Sequence, residues 1–344
     1  MSVARWIRRL AVAGVLLCFT VVVLGAYVRL TAAGLGCPDW PGCYGHLSPI
    51  GAAASAGAGA YAERPLEPGK AWREMIHRYA ASTLGLAILA IAFLALRARR
   101  QPVVSVPFAL ALLGLVVVQG LLGMLTVTWQ LKPLIVTLHL VFGMTTLALL
   151  WWLTLSLPGG SWGAAARGGL GGAIRGGGAS PITSAWRLTL LGLIALAVQI
   201  ALGGWTSSNY AALACADFPT CQGAWWPHTD YRDAFVLWHG LNINYEGGVL
   251  GNPARVAIQL THRLGALVTS VLLLLAAGFV LQRRGLCAAR PRAWALLAAL
   301  ALQLVIAVSM VLRSFPLWLA TLHAAGAALL LLATLALLRS LSAR

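Results

Sequence analysis

The residues of this chain best suited to chemistry are four histidines in two matched pairs. His77 and His139 stand 62 residues apart, and His262 and His323 stand 61 apart. Their neighbours match as well: Ile76-His77-Arg78 is answered by Thr261-His262-Arg263, and Thr137-Leu138-His139 by Thr321-Leu322-His323. All four fall at or just inside the ends of long apolar stretches, where an ionisable group is costly and usually functional. Two neutral imidazoles facing each other across a helix bundle form an axial ligand set for a flat apolar macrocycle such as haem. A purely structural role, each ring bonding between helices, is the alternative, and the duplicated register argues against it. Directly bound zinc or copper would want a third ligand, and the sequence offers few carboxylates at matching depth.

Around these pairs stand other candidates. Glu74 precedes His77 by three residues and so shares its helix face, whereas Gln259 holds the equivalent place before His262. The repeat is thus symmetric in histidines and asymmetric in a titratable carboxylate, which would let one half carry out chemistry while the other holds a cofactor. The bland reading of Glu74 is an acid complementing a helix N-terminus. Arg78 and Arg263 follow the histidines, and Arg29 ends the first apolar stretch. Guanidiniums suit carboxylates such as haem propionates, and equally suit interfacial anchoring. Cys37 and Cys43, then Cys215 and Cys221, form two C-x5-C loops that suit disulfides in an oxidising compartment better than closed zinc sites. Cys18 and Cys287 are left as thiols. His46, His228 and His239 have no repeat partners and read as surface residues.

The elements that must position these groups are membrane helices. Of 344 residues, 60% are apolar and 10% charged, which excludes a soluble protein. Hydropathy predicts spans at about 10–28, 76–96, 103–128, 134–157, 187–206, 258–281, 293–312 and 317–338. This predicts an all-α integral membrane protein of eight transmembrane helices, arranged as two tandem pseudo-symmetric four-helix bundles. His77 opens the second helix, and His139 lies about six residues into the fourth. The first span follows Arg8 and Arg9 but is too long for a signal-peptide core, so it reads as a retained helix.

The net charge of +17 is distributed as a topology signal. With both termini cytoplasmic, 15 of the Lys and Arg residues fall inside with no acid among them, and all eight acids fall outside. That pattern argues for contact with anionic lipid and against nucleic acid.

The repeat divides the chain into an N-terminal half, 1–157, a Gly-rich cytoplasmic linker, 158–186, and a C-terminal half, 187–344. The motif Cys37-Pro38-Asp39-Trp40-Pro41-Gly42-Cys43 is answered by Cys215-Ala216-Asp217-Phe218-Pro219-Thr220-Cys221. The Ala/Gly run at 51–60 reads as a second flexible segment.

With these segments in view, the sequence resembles the haem A synthase family over essentially its whole length. The resemblance rests on Gly25 to Thr31, Gly34 to Cys43, Glu74-Met75-Ile76-His77-Arg78, the segment around His139, Asn244-Tyr245-Glu246-Gly247-Gly248, and the His262 and His323 segments. It implies oxidation of the C8 methyl of haem O to a formyl group, giving haem A for terminal oxidases. By carry-over, His77 and His139 hold the substrate haem, Glu74 is the catalytic carboxylate, and His262 and His323 ligate the iron of a haem b cofactor. The implied setting is a bacterial inner membrane, with haem sites towards its outer face. Haem O synthase, terminal oxidase assembly factors and membrane lipid are the implied partners, and a homo-oligomer is compatible with the sequence. Two other classes compete: a dihaem b-type electron-transfer protein, and a haem transporter or chaperone. A prenyltransferase would need aspartate-rich magnesium motifs, and Asp230 and Asp233 are the closest Asp pair.

Overall fold

The computed structural model describes residues 3–53, 55–57, 59–61, 64–100, 103–157, 181–240 and 242–342. Among them the chain is all helical, with no strand beyond two isolated bridges. Eight long helices form the body: α1 (Val3–Leu30), α2 (Pro68–Arg97), α3 (Val106–Thr128), α4 (Pro133–Ser156), α5 (Pro181–Ser208), α6 (Asn252–Gln282), α7 (Arg290–Leu312) and α8 (Leu317–Leu341). Each is long and apolar enough to cross a bilayer, and the chain is a multi-pass membrane protein.

The helices begin where backbone chemistry allows and not where hydropathy rises. Proline stands in the first turn of α2, α3, α4, α6 and α7, where its missing N–H costs nothing and its fixed φ is already helical. Consequently α2 starts at Pro68 instead of 76, and α6 at Asn252 instead of 258. Their polar opening turns carry Lys70 and Arg73, or Asn252 and Arg255, which a hydropathy window rejects. The same error placed the starts of α1 and α5 several residues late, and α3 begins a little later than expected, at Val106. His77 therefore lies well inside α2 instead of opening it, and Glu74 is about two turns in. A dipole effect confined to the first turn does not account for an acid there.

The Ala/Gly run at 51–60 is also more structured than expected. Its start lies in the helical turn Pro49–Ala52, capped by the Ser48 hydroxyl accepting from Ile50 N, and its end in a 3-10 turn, Gly59–Tyr61. Tyr61 packs edge-on to Tyr44, with ring centroids 5.3 Å apart. The Gly-rich linker lies outside the described residues up to 180.

Within the first four helices, α1 packs on α2 and α4, and α3 packs on both α2 and α4. The second four pack alike, α5 on α6 and α8, and α7 on both α6 and α8. The two sets meet through α1 with α8, α4 with α5, and α4 with α8. Ile7, Ala11, Cys18, Leu147, Leu150, Leu273 and Leu296 belong to one continuous core spanning both sets. Leu86, Leu89 and Phe93 of α2, and Leu267, Leu274 and Leu275 of α6, stay exposed, as lipid-facing residues must.

Three smaller clusters bind the long loops to the histidine end. Cys37, Cys43, Tyr44, Ala71 and Met75 form one, and Cys215, Cys221 and Val256 another. Trp205, Ala234, Leu250 and Ile258 make the third, with the Trp205 indole N–H donating to Ala234 O at 2.9 Å. Backbone detail recurs between the loops. Ala32, Tyr44, Gln130 and Leu131 have positive φ, as do Tyr210, Gln222, Ser314 and Phe315 at the matching places.

Candidate functional site

The histidines come together in the expected pairs. The His77 and His139 ring centroids are 6.5 Å apart at an interplanar angle of 78°. His262 and His323 are likewise electrostatic neighbours. Small residues make room for the rings. A Cβ on Gly25 of α1 would lie 3.0 Å from His77 Cε1, one on Gly123 of α3 would lie 3.4 Å from His139 Cε1, and one on Gly203 of α5 would lie 3.2 Å from His262 Cε1.

This spacing suits a metal centre between two rings. Two metal–imidazole bonds of about 2 Å, plus about 1 Å from each ring nitrogen to its ring centre, require roughly 6 Å between centroids. His77 and His139 have no side-chain partner at Nδ1, and their rings interact with the backbones of Val21 and Gln119. Among the described residues no group of three or more His, Cys, Asp or Glu is assembled, so the donor set is a pair of imidazoles in each half and not a closed metal cage.

Glu74 lies one turn before His77 on α2 and is 4% exposed. Its Oε2 accepts from Cys37 N at 2.8 Å, and its Oε1 accepts from Arg78 Nη2 at 2.5 Å. Gly36 makes this docking possible: a Cβ there would lie 2.7 Å from the Lys70 carbonyl carbon. The loop thus rests directly on the α2 backbone. Each carboxylate oxygen still has lone-pair capacity for a further donor.

The C-x5-C loops are closed, with the Sγ atoms of Cys37 and Cys43 2.03 Å apart and Cys215 bonded to Cys221. Cys18 is a buried thiol and Cys287 an exposed one. Inside the loops, Asp39 accepts from Tyr44 N and Gly45 N at 2.6 and 2.9 Å, and Asp217 from Gln222 N and Gly223 N at 2.7 and 3.0 Å. The Thr220 hydroxyl, with those backbone donors, holds the Asp217 carboxyl down to about 2.

The arginines point to these loops. Arg78 Nη1 donates to the carbonyls of Asp39 at 2.9 Å and Gly42 at 2.5 Å, and Arg263 donates to Thr220 O, Cys215 O and Asp217 O at 2.7, 3.0 and 2.8 Å. Arg29 crosses between the two halves, donating to Ser207 O at 2.7 Å and lying 4.0 Å over the Tyr210 ring. Of the three unrepeated histidines, His46 and His228 are exposed and His239 is half-buried.

Sequence reasoning missed several polar side chains inside the bundle. Gln119 donates to His139 O at 2.8 Å, and Gln303 to His323 O at 3.2 Å, each from twenty residues upstream. Gln199 donates to His262 O at 2.9 Å. Lone amides in apolar helices were the available signal. Lys132, 2% exposed, donates to Gly240 O at 2.6 Å and sits 2.9 Å from the Trp238 ring centroid.

Comparison with known proteins supplies independent findings. Residues 8–335 match the family model described as cytochrome oxidase assembly protein. The chain is 40% identical to a Shewanella oneidensis protein named "Heme A synthase" over 95% of this chain and 93% of that protein. It is 28% identical to one of the same name from Beijerinckia indica, covering 99% and 93%. A third so named, from Shouchella clausii, is 26% identical over 78% of this chain and 74% of its own length.

Proposed function

The chain belongs to the cytochrome oxidase assembly protein family, and we propose that it is a haem A synthase, taking haem O as substrate and giving haem A as product. The observation that carries this reading is the pairing of a buried carboxylate with one histidine pair only. Glu74 lies one turn before His77 on α2, while Gln259, also buried, lies one turn before His262 on α6.

Converting a methyl to a formyl group with water as the oxygen source releases four electrons and four protons, so the reaction is an oxidation at carbon that needs an external electron acceptor. His77 and His139 hold the substrate macrocycle by its iron and orient its edge. Glu74, fixed by Cys37 N–H and Arg78, places negative charge where positive charge develops and offers an acceptor for a proton leaving water. Arg78 and Cys37 keep that carboxylate aimed and buried. In the other half, His262 and His323 are the residues that would hold a haem b, which when bound supplies one-electron redox chemistry. The guanidiniums of Arg29, Arg78 and Arg263 stand within reach of the same end of the bundle, so any propionate contact is made alongside their loop bonds. Tandem halves with cytoplasmic termini, in a bacterial inner membrane with the sites towards its outer face, fit the charge distribution. Haem O synthase and terminal oxidase assembly factors are the partners this role implies.

The test is a chromatographic pigment profile of the purified protein and of cells with this chain as their sole copy. Haem O or haem A beside haem B supports the reading; haem B alone in both halves makes it a dihaem electron-transfer protein and overturns it.

A further inference from the structure

Both rings of the second half have a side-chain amide against Nδ1, which neither ring of the first half has. Gln199 Nε2 lies 3.0 Å from His262 Nδ1, besides its bond to His262 O. Gln303 Nε2 lies 3.2 Å from His323 Nδ1, 3.5 Å from its Nε2 and 3.2 Å from His323 O. A glycine one turn beyond each histidine creates the seat: a Cβ on Gly265 would collide with Gln199 Oε1, and a Cβ on Gly326 with Gln303 Oε1.

The corresponding positions of the first half are filled differently. Counted from Gly25 and Gly203, Gln199 corresponds to Val21; counted from His77 and His262, Gly265 corresponds to Ala80. Gln119 corresponds to Gln303, but Phe142 stands where Gly326 does. The Gln119 amide lies instead against Gly143, 3.1 Å from where a Cβ would be, and bonds to His139 O alone. Neither first-half ring has a side-chain partner at Nδ1; each meets a backbone instead, that of Val21 or of Gln119.

We propose that Gln199 and Gln303, seated over Gly265 and Gly326, are positioning residues that make the second half retain its haem, and that their absence at the first-half rings lets that half exchange substrate for product. The inference rests on the haem A synthase reading. The physics is that of outer-shell partners. An imidazole ligating iron through Nε2 carries its proton on Nδ1, and a partner there fixes both tautomer and ring plane. Turned end for end, the amide gives up its bond to the histidine carbonyl and presents its oxygen to an Nδ1–H, the form of a ring that ligates through Nε2. A ring so held is preorganised to keep its metal, whereas the first-half rings meet only the backbones of Val21 and Gln119 and have no amide at Nδ1 to hold them. Release is a requirement for a site whose occupant is a product.

The test measures haem loss to an apo-globin acceptor, and reduction potential, on the purified full-length protein. Gln199→Leu and Gln303→Leu are each expected to speed loss of haem B by roughly ten- to a hundredfold and to raise its potential. Gln199→Glu and Gln303→Glu, which keep an acceptor at Nδ1, should restore retention and lower the potential, a signature that lost packing would not produce. Val21→Gln with Ala80→Gly should slow release from the first half, and stands as evidence even where a Leu variant fails to insert. Loss rates and potentials equal to the parent in both Leu variants, with no slowing in the double variant, overturn the proposal. His262→Ala and His323→Ala are the controls: if they keep full haem B, the haem assignment itself has failed, and if they lose it while the Gln variants behave as the parent, only this inference has.

Discussion

The two halves use the same parts to different ends. Both have a C-x5-C loop whose aspartate ties down the loop backbone, an arginine reaching up from the histidine helix, and a histidine resting on a glycine. Yet Arg78 spends one nitrogen on Glu74, whereas both nitrogens of Arg263 go to loop carbonyls. Gly36 lets the first loop touch the α2 backbone and donate Cys37 N to Glu74; Ala214 stands at its counterpart. The first half thus gives up some side-chain bulk to tie its loop to a charged group one turn from His77, and the second half gives up bulk at Gly265 and Gly326 to seat amides against its rings. On the haem A synthase reading proposed above, the halves diverge in chemistry through the residues next to the four histidines while the histidines stay the same.

The bluntest way to break this comparison is to remove the ligands half by half. His262→Ala or His323→Ala is expected to strip nearly all tightly bound haem B, whereas His77→Ala or His139→Ala should keep haem B and lose haem O and haem A. Equal loss of haem B from both pairs, measured by pigment extraction, would mean that the halves are equivalent.

Glu74→Gln removes the chemical difference while leaving the volume. The variant should insert and keep haem B, with at least a hundredfold slower conversion of haem O, about 3 kcal/mol of transition-state stabilisation. Single-turnover conversion at the parent rate would reduce Glu74 to a loop anchor. The reciprocal Gln259→Glu should leave conversion unchanged.

Gly36→Ala tests whether the loop's close approach matters. A Cβ there would lie 2.7 Å from Lys70 backbone, which cannot yield as a side-chain tip would. The loop must lift, lengthening the bond from Cys37 N to Glu74, and we expect roughly tenfold slower conversion, about 1.4 kcal/mol. Ala214→Gly in the other half should be neutral in the same assay. Matching effects from both substitutions would show that the two loops serve one structural purpose.

Much of this was legible in the sequence because the membrane makes polar residues conspicuous. Eight spans, four histidines and Glu74 against Gln259 all stand out from an apolar background. The helix starts were missed because Pro68 to Arg73 and Asn252 to Arg255 are polar and nonetheless helical, and a hydropathy window sees only polarity. Gln199 and Gly265 were missed for a different reason. A search for repeats finds what the halves share, and these two positions, opposite Val21 and Ala80, are places where the halves differ. The docking of Arg78 and Arg263 on loop carbonyls depends on how the loop folds over its helix, which spacing along the chain does not convey.

The smallest expected effect concerns how the halves are joined at this end. The turn from α3 to α4 and that from α7 to α8 have the same backbone shape, with positive φ at Gln130 and Leu131 and at Ser314 and Phe315. They differ in the next residue, Lys132 in the first and Pro316 in the second. Lys132 is buried, donates to Gly240 O at 2.6 Å and lies against the Trp238 ring, while Tyr245 N donates to Gln130 O at 3.1 Å. The loop before α6 is therefore tied to the first half by a charge, an aromatic face and a backbone bond, and the second half has no equivalent lysine to return the contact. A desolvated cation–π contact is worth about 2 kcal/mol and a hydrogen bond to a charged donor about as much, but removing the ammonium also relieves its own desolvation. Lys132→Met should accordingly cost only about 1–2 kcal/mol. The measurement is limited proteolysis of the protein in detergent, followed by mapping of the cuts. Cleavage near Trp238 should rise roughly tenfold, with haem B retention and the cuts elsewhere unchanged. A cleavage pattern identical to the parent would show that the tie between the halves is held by the backbone bond from Tyr245 to Gln130 and not by the buried lysine.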